Sequence, residues 1–278
     1  MMAQVDRAFA RIDEGLVHYR HAGIADGPVL LMLHASPGSS RGLEPLMAAL
    51  TGAKPDLRLI APDTLGNGDS APPAPDEPEI SYFADRLLAF LDRLGIDRVA
   101  IYGTHTGARI AAECALQAPR RISHVVFDGI GDYDEEMRAL LLDRYAPEVT
   151  PGEYGEHLIW AFNFIRDQAL HYPWFLRDPE HRLMTRAVPG GQEMHERVVE
   201  LLKSISSYHK SYRAAFAYRA SERLPLLETQ ATFLDGQAEL PVLKEKLRKL
   251  AASVRGAQVV EVETSPQGKA AAIVAALD

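Results

Sequence analysis

At 278 residues the chain can bury a sizeable core and suits one large α/β domain, or a core with an inserted subdomain. Hydrophobic content of 47%, a net charge of -8 and a pI near 5.7 argue against nucleic acid and anionic membrane as partners, which an acidic surface repels. A single cysteine, Cys114, excludes an internal disulfide; without a signal-like N-terminus or an apolar run near the roughly 18 residues needed to cross a bilayer, the expected compartment is the cytoplasm.

Residues 9–12 and 16–20 alternate in character around Asp13-Glu14-Gly15 and read as a β-hairpin. Val29-Leu-Leu-Met-Leu33 is a continuous apolar run, as in a strand buried on both faces of a parallel sheet, and it ends in His34-Ala35-Ser36-Pro37-Gly38. A helix is expected over 41–50 and a strand over 57–61, which runs into Pro62-Asp63 and the glycine-containing turn through Ser70. Phe83, Leu87, Phe90, Leu91 and Leu94 recur at helical spacing and predict an amphipathic helix over 81–94. The strand Val99-Ala-Ile-Tyr102 then breaks into Gly103-Thr104-His105-Thr106-Gly107 and restarts as an alanine-rich helix. A strand, a one-residue apex between two glycines and a helix outline a nucleophile elbow, with His105 at the apex.

After a further strand at 124–127 the strand rhythm stops from 132 to 224, where helical patterns rich in aromatics are interrupted by Pro173, Pro179 and Pro189-Gly-Gly191. The rhythm resumes with a strand at 231–234, a helix at 241–252, a strand at 259–262 and a closing helix at 268–277. Alternating strands and helices imply a doubly wound, mostly parallel sheet. Residues 1–131 and 225–278 are therefore assigned to an α/β core, and 132–224 to an inserted helical cap over the sheet's carboxyl edge.

These features resemble the α/β-hydrolase superfamily with a helical lid, over nearly the whole chain. Residues 34–38 are similar to the family's HGxPG oxyanion turn, residues 63–70 to its D-x-x-G-x-G-x-S turn, and residues 103–107 to its elbow. The resemblance implies a nucleophile, an acid and a histidine in that chain order. The acid position falls on Glu239, with Asp235 as a near alternative; Asp128, after the preceding strand, is another acid position in the superfamily. The histidine position lies in 263–268, which holds none, and the last histidine in the chain is His209. An ordinary Ser-His-Asp relay is therefore excluded.

The two departures are chemically compatible. A serine needs a neighbouring base before it attacks, whereas a neutral imidazole carries its own lone pair. His105 would act as nucleophile, or as general base toward a water or a carbon acid. Backbone N-H groups at Thr106 and at Ala35 or Ser36 would supply the oxyanion hole. Against this stands a decayed site, in which the fold persists as a silent ligand-binding protein. Similar alternatives accompany the other candidates. His34 either takes part in chemistry or only orders its turn; Thr104 and Thr106 offer hydroxyls or merely pack a tight turn; Glu239 orients the imidazole or is solvated. Cys114 reads as structural.

In the insertion, Trp160, Arg166, His171 and Trp174 are candidate substrate contacts, with Arg166 as the anion-binding group, or else the aromatics glue helices together. The expected substrate is a small, partly apolar carbonyl compound, undergoing ester or lactone hydrolysis or lyase-type cleavage. No cofactor or metal is expected, because His34 and His105 lack a metal-ligand spacing. No nucleic acid or membrane partner is expected either, and a homodimer is left open.

Overall fold

The computed structural model describes residues 4–184, 187–237 and 241–278. A hairpin of β1 (Asp6–Ile12) and β2 (Gly15–Gly23) leads into β3 (Val29–Leu33), α1 (Glu44–Ala53), β4 (Arg58–Pro62), α2 (Ile80–Arg93), β5 (Val99–Thr104), α3 (Thr106–Gln117) and β6 (Ile122–Asp128). Helices α4 (Glu135–Arg144), α5 (Glu156–Leu170), α6 (Gly191–Lys203), α7 (Tyr208–Ala217) and α8 (Ala220–Arg223) follow without an intervening strand. The chain closes with β7 (Gln230–Gly236), α9 (Pro241–Ala252), β8 (Gln258–Val262) and α10 (Pro266–Leu277).

The eight strands form one sheet in the order β1-β2-β4-β3-β5-β6-β7-β8. The hairpin joins antiparallel, and every pairing from β4 to β8 is parallel. Successive side chains of a strand point to opposite faces, so each apolar run feeds two cores. Leu31, Leu33, Ile101, Val125 and Phe127 pack with Phe83, Phe90 and Ile110 on one face. Leu30, Met32, Tyr102 and Val126 pack with Met47, Leu50 and Ile273 on the other. Full burial of such a side chain contributes about 1.5–3 kcal/mol, and this demand on both faces is why β3 reads as an unbroken apolar run.

Helices α4 to α7 enclose a third cluster, built on Leu141, Phe164, Leu201, Tyr208, Tyr212 and Phe216. Among the described residues no helix is long and apolar enough to cross a membrane.

Parallel pairing delivers the functional turns to one edge. Leu33 lies opposite Gly103, Gly103 opposite Phe127, and Thr104 opposite Asp128, which lies opposite Leu234. His34, His105, Asp128 and Asp235 thus stand at or just beyond the carboxyl ends of β3, β5, β6 and β7, where open α/β sheets bind ligands.

Candidate active site

Between β5 and α3 the backbone turns at His105 with φ 49° and ψ -104°, and it is the one described non-glycine residue with positive φ. Such a conformation costs about 1–3 kcal/mol and persists only when its surroundings impose it. They do so through two close approaches. A Cβ on Gly103 would lie 2.4 Å from the Gly107 carbonyl oxygen, and one on Gly107 would lie 2.4 Å from that of Leu33. The helix start therefore presses onto the strands only because both positions are glycine.

The apex is held from β6. The His105 N-H donates to the Asp128 carbonyl at 2.9 Å, and the imidazole lies against Gly129, where a Cβ would come within 2.6 Å of the ring's Cε1. Gly129 also has φ 73°, so glycine is required there twice over. From α3, buried Arg109 donates to the His105 carbonyl at 3.0 Å and to the Gly131 carbonyl at 2.7 Å. The His105 side chain is exposed. Thr106 is buried at the first position of α3, where backbone N-H groups have no acceptor within the helix.

His34 is buried, and both ring nitrogens are engaged. Nε2 accepts the Thr64 N-H at 2.9 Å, so Nδ1 carries the proton and donates to the Ala35 carbonyl at 2.9 Å. Burial lowers its pKa, against the opposing pull of Asp63. A neutral ring bonded at both ends orders the 34–38 turn and offers no lone pair to a substrate. The turn is also anchored to α7: Ser36 Oγ lies 2.8 Å from Ser211 Oγ, which accepts from Asn67 Nδ2 at 3.1 Å.

Asp63 joins this turn to the next. It accepts from His18 Nδ1 at 2.8 Å, from the Ser40 N-H at 2.8 Å and from the Asp69 N-H at 3.0 Å. Burial raises its pKa, but His18, His34 and Ser40 together hold the carboxyl well below the usual range. Among the described residues, His18, Asp63 and Asp69 are compact enough to share a metal ion. Asp63 already spends its oxygens on these donors, and neither His34 nor His105 belongs to the group.

The acid candidates differ in what occupies them. Glu239 lies outside the described residues. Asp235 is buried and paired with Arg248 at 2.6 Å and Lys244 at 3.3 Å, both on α9. Asp128 Oδ2 accepts from the Tyr102 hydroxyl at 2.5 Å and from Lys269 Nζ at 2.5 Å. Burial and this carboxylate raise the pKa of the Tyr102 phenol, and the Thr104 hydroxyl lies beside it. Lys269 escapes a sequence reading that searches the segment after β8 for a histidine; the signal was a cation one residue past that window.

Of the four candidates in the helical segment, Trp160 stacks on Phe164 with ring centroids 4.7 Å apart, and Trp174 donates its Nε1-H to the Tyr145 carbonyl at 2.8 Å. Arg166 is bound by Asp167 at 2.8 Å, and Arg177 reaches the same carboxylate at 2.7 Å. The His171 N-H donates to the Asp167 carbonyl, closing α5. These contacts hold the segment together, and Arg166 shares the single Asp167 carboxylate with Arg177. The aromatic group that does reach the β5–α3 turn was not singled out from sequence: Arg109 lies 5.8 Å from the Tyr133 ring centre, and Tyr172 donates to the Tyr133 hydroxyl at 3.1 Å.

Comparison with known proteins agrees with this fold. A family model described as the alpha/beta hydrolase fold matches residues 28–194. The chain is 35% identical over 133 residues to a 2-hydroxy-6-oxononadienedioate/2-hydroxy-6-oxononatrienedioate hydrolase of Pseudomonas putida, covering 44% of each. It is 36% identical over 169 residues to a haloalkane dehalogenase of Mesorhizobium japonicum, covering 56% of this chain and 50% of that protein. The chain thus spans about half the length of the curated relatives it matches. Epoxide hydrolase A from Mycobacterium thermoresistibile superposes with TM-score 0.76 at 19% identity, covering 99% of this chain and 98% of that one. The enol-lactonase from Burkholderia xenovorans gives 0.70, also at 19% identity, with 97% and 99% covered. With more than half its residues matched by the family model, and with the sheet, the turns and the β5–α3 geometry in place, the chain belongs to the α/β-hydrolase fold family.

Proposed function

We propose that the chain is an atypical hydrolase that acts on a small, partly apolar carbonyl compound, with His105 as nucleophile or general base. The observation that supports it is the conformation of His105: an exposed imidazole on a strained backbone, with Gly103 and Gly107 admitting the tight turn and Gly129 making room for the ring. Backbone strain of this kind clusters at active sites.

In the base form of the reaction, the imidazole takes a proton from water as the oxygen attacks the carbonyl carbon. The resulting oxyanion is stabilised by N-H groups at Thr106 and in the Ala35-Ser36 turn, and the imidazolium returns the proton to the leaving group. In the nucleophilic form, the ring nitrogen attacks the carbonyl carbon, the C–O bond to the leaving group breaks, and water hydrolyses the resulting acyl-imidazole to the acid and free imidazole. Lyase-type cleavage begins instead with removal of a proton from carbon. Glu239 is the supporting acid in this reading, since Asp128 and Asp235 are engaged by cations, and residues 132–224 form the cap. Its relatives and structural neighbours include a hydrolase of oxo-dienedioates and an enol-lactonase, both of which act on carbonyl compounds.

Activated esters, enol-lactones and β-keto acids form the test panel. Turnover by the wild type is expected to fall about 10²- to 10⁴-fold in His105→Ala, and a serine-directed fluorophosphonate probe is expected to leave the protein unlabelled. If wild type and variant are equally inactive while ligands still stabilise both against heat, the protein is a ligand binder and the enzymatic reading fails.

A further inference from the structure

The segment after β8, which in this fold is expected to bring a histidine to the apex, brings a lysine to the residue beneath it. Lys269 is the fourth residue of α10, and its ammonium donates to Asp128 Oδ2 at 2.5 Å. Asp128 is also the residue whose carbonyl accepts the His105 N-H at 2.9 Å, and its successor Gly129 is the surface on which the imidazole rests. The side chains of Asp128 and Lys269 are largely buried, at 13% and 23% exposure, so their interaction is less screened than that of a surface pair. Tyr102 fixes the same carboxylate oxygen from β5.

We propose that Lys269 is a positioning residue for His105. It neutralises and immobilises Asp128, so that the apex keeps its N-H acceptor and the imidazole keeps its lone pair. The inference rests on the functional reading above for its purpose, but not for its measurement.

The electrostatic consequence has a definite sign. An Asp128 carboxylate without its ammonium favours the imidazolium and raises the His105 pKa; the ammonium without its carboxylate lowers it. Among the described residues, ionisable groups near the apex include Arg109 on α3, bound to the His105 carbonyl; His34 beyond β3, bonded at both nitrogens; Tyr102 on β5; and Tyr133 beyond Arg109. Glu239, assigned above as the supporting acid, is kept in every variant.

The experiment is a titration of the His105 ring protons by NMR in the full chain, assigned by loss of the signal in His105→Ala. Lys269→Met is expected to raise the midpoint by about half a unit or more and Asp128→Asn to lower it, while the double variant returns toward wild type and Lys269→Arg stays near it. A merely structural role would move both single variants in the same direction, or neither. Equal midpoints in Lys269→Met and wild type overturn the proposal, as does a shift of the same sign in Asp128→Asn. Should Lys269→Met fail to fold, Asp128→Asn and the double variant carry the same comparison. The midpoint is readable in an inactive protein, so absence of turnover sinks the functional reading alone, whereas unmoved midpoints sink this one alone.

Discussion

His34 illustrates how a single ring couples the site to solution conditions. Burial holds its folded pKa below the ordinary value of 6.5, so the unfolded chain binds a proton more readily than the folded one. Its contribution to the pH dependence is therefore a loss of stability as pH falls through and below about 6.5. Asp63 behaves as a depressed carboxyl does: its contribution is present above the unfolded value near 3.8 and is lost only at lower pH. Urea unfolding between pH 7.5 and 5 is expected to show falling stability in the wild type and a flatter profile in His34→Gln, at a cost in stability of about 1–3 kcal/mol from the disturbed turn.

The same scale shows what a sequence conceals. That His105 occupies an apex was readable, because two glycines at fixed offsets leave few alternatives. That Asp128 belongs to Lys269 and Arg166 to Asp167 was not, because which ions pair is settled by helix docking and rotamers rather than by residue type.

Among the elements, the β5–α3 turn concentrates the steric demand. Placing a Cβ 2.4 Å from a backbone carbonyl leaves no room to relax by side-chain motion, and the opposing atoms belong to the central strands. Gly103→Ala and Gly107→Ala are each expected to destabilise by about 3 kcal/mol or more, or to abolish folding. Gly52→Ala, a helical position with nothing within 4 Å, is expected to be neutral or slightly stabilising; thermal denaturation distinguishes the cases. Element type and order were legible because each apolar run had an unambiguous period, including the long helical interruption after β6. Its internal packing was not, since thirteen aromatics in residues 132–224 permit many pairings and only the folded segment chooses Trp160 on Phe164 and Tyr212 on Phe216.

On the scale of the whole molecule, the two clusters flanking the sheet are separate from the cluster enclosed by α4 to α7. Ala214 and Ala215 of α7 join the sheet-flanking cluster, and polar contacts add to this join: Ser36 with Ser211, Ser39 with Glu200, and Asp69 with Lys203. Polar seams open more readily than apolar cores and respond to salt. Native-state hydrogen exchange is expected to show the amides of α5 and α6 exchanging as a group at lower protection than those of β3, β5 and β6, with a gap that widens in high salt. Coincident protection across both regions would show a single cooperative unit instead.

Ser36 belongs to the turn assigned to anion stabilisation, and its hydroxyl is tethered to Ser211 on α7. In the proposed hydrolase, any excursion that lifts α7 away to admit a substrate breaks that tether and leaves the 34–38 turn to its His34 bonds. Admission and reaction would then belong to different conformers, and an open molecule would be a poor catalyst however well it bound. In such an arrangement the door is wired to the furnace: the site becomes fully assembled only once the guest is inside and the hydroxyl pair has closed again.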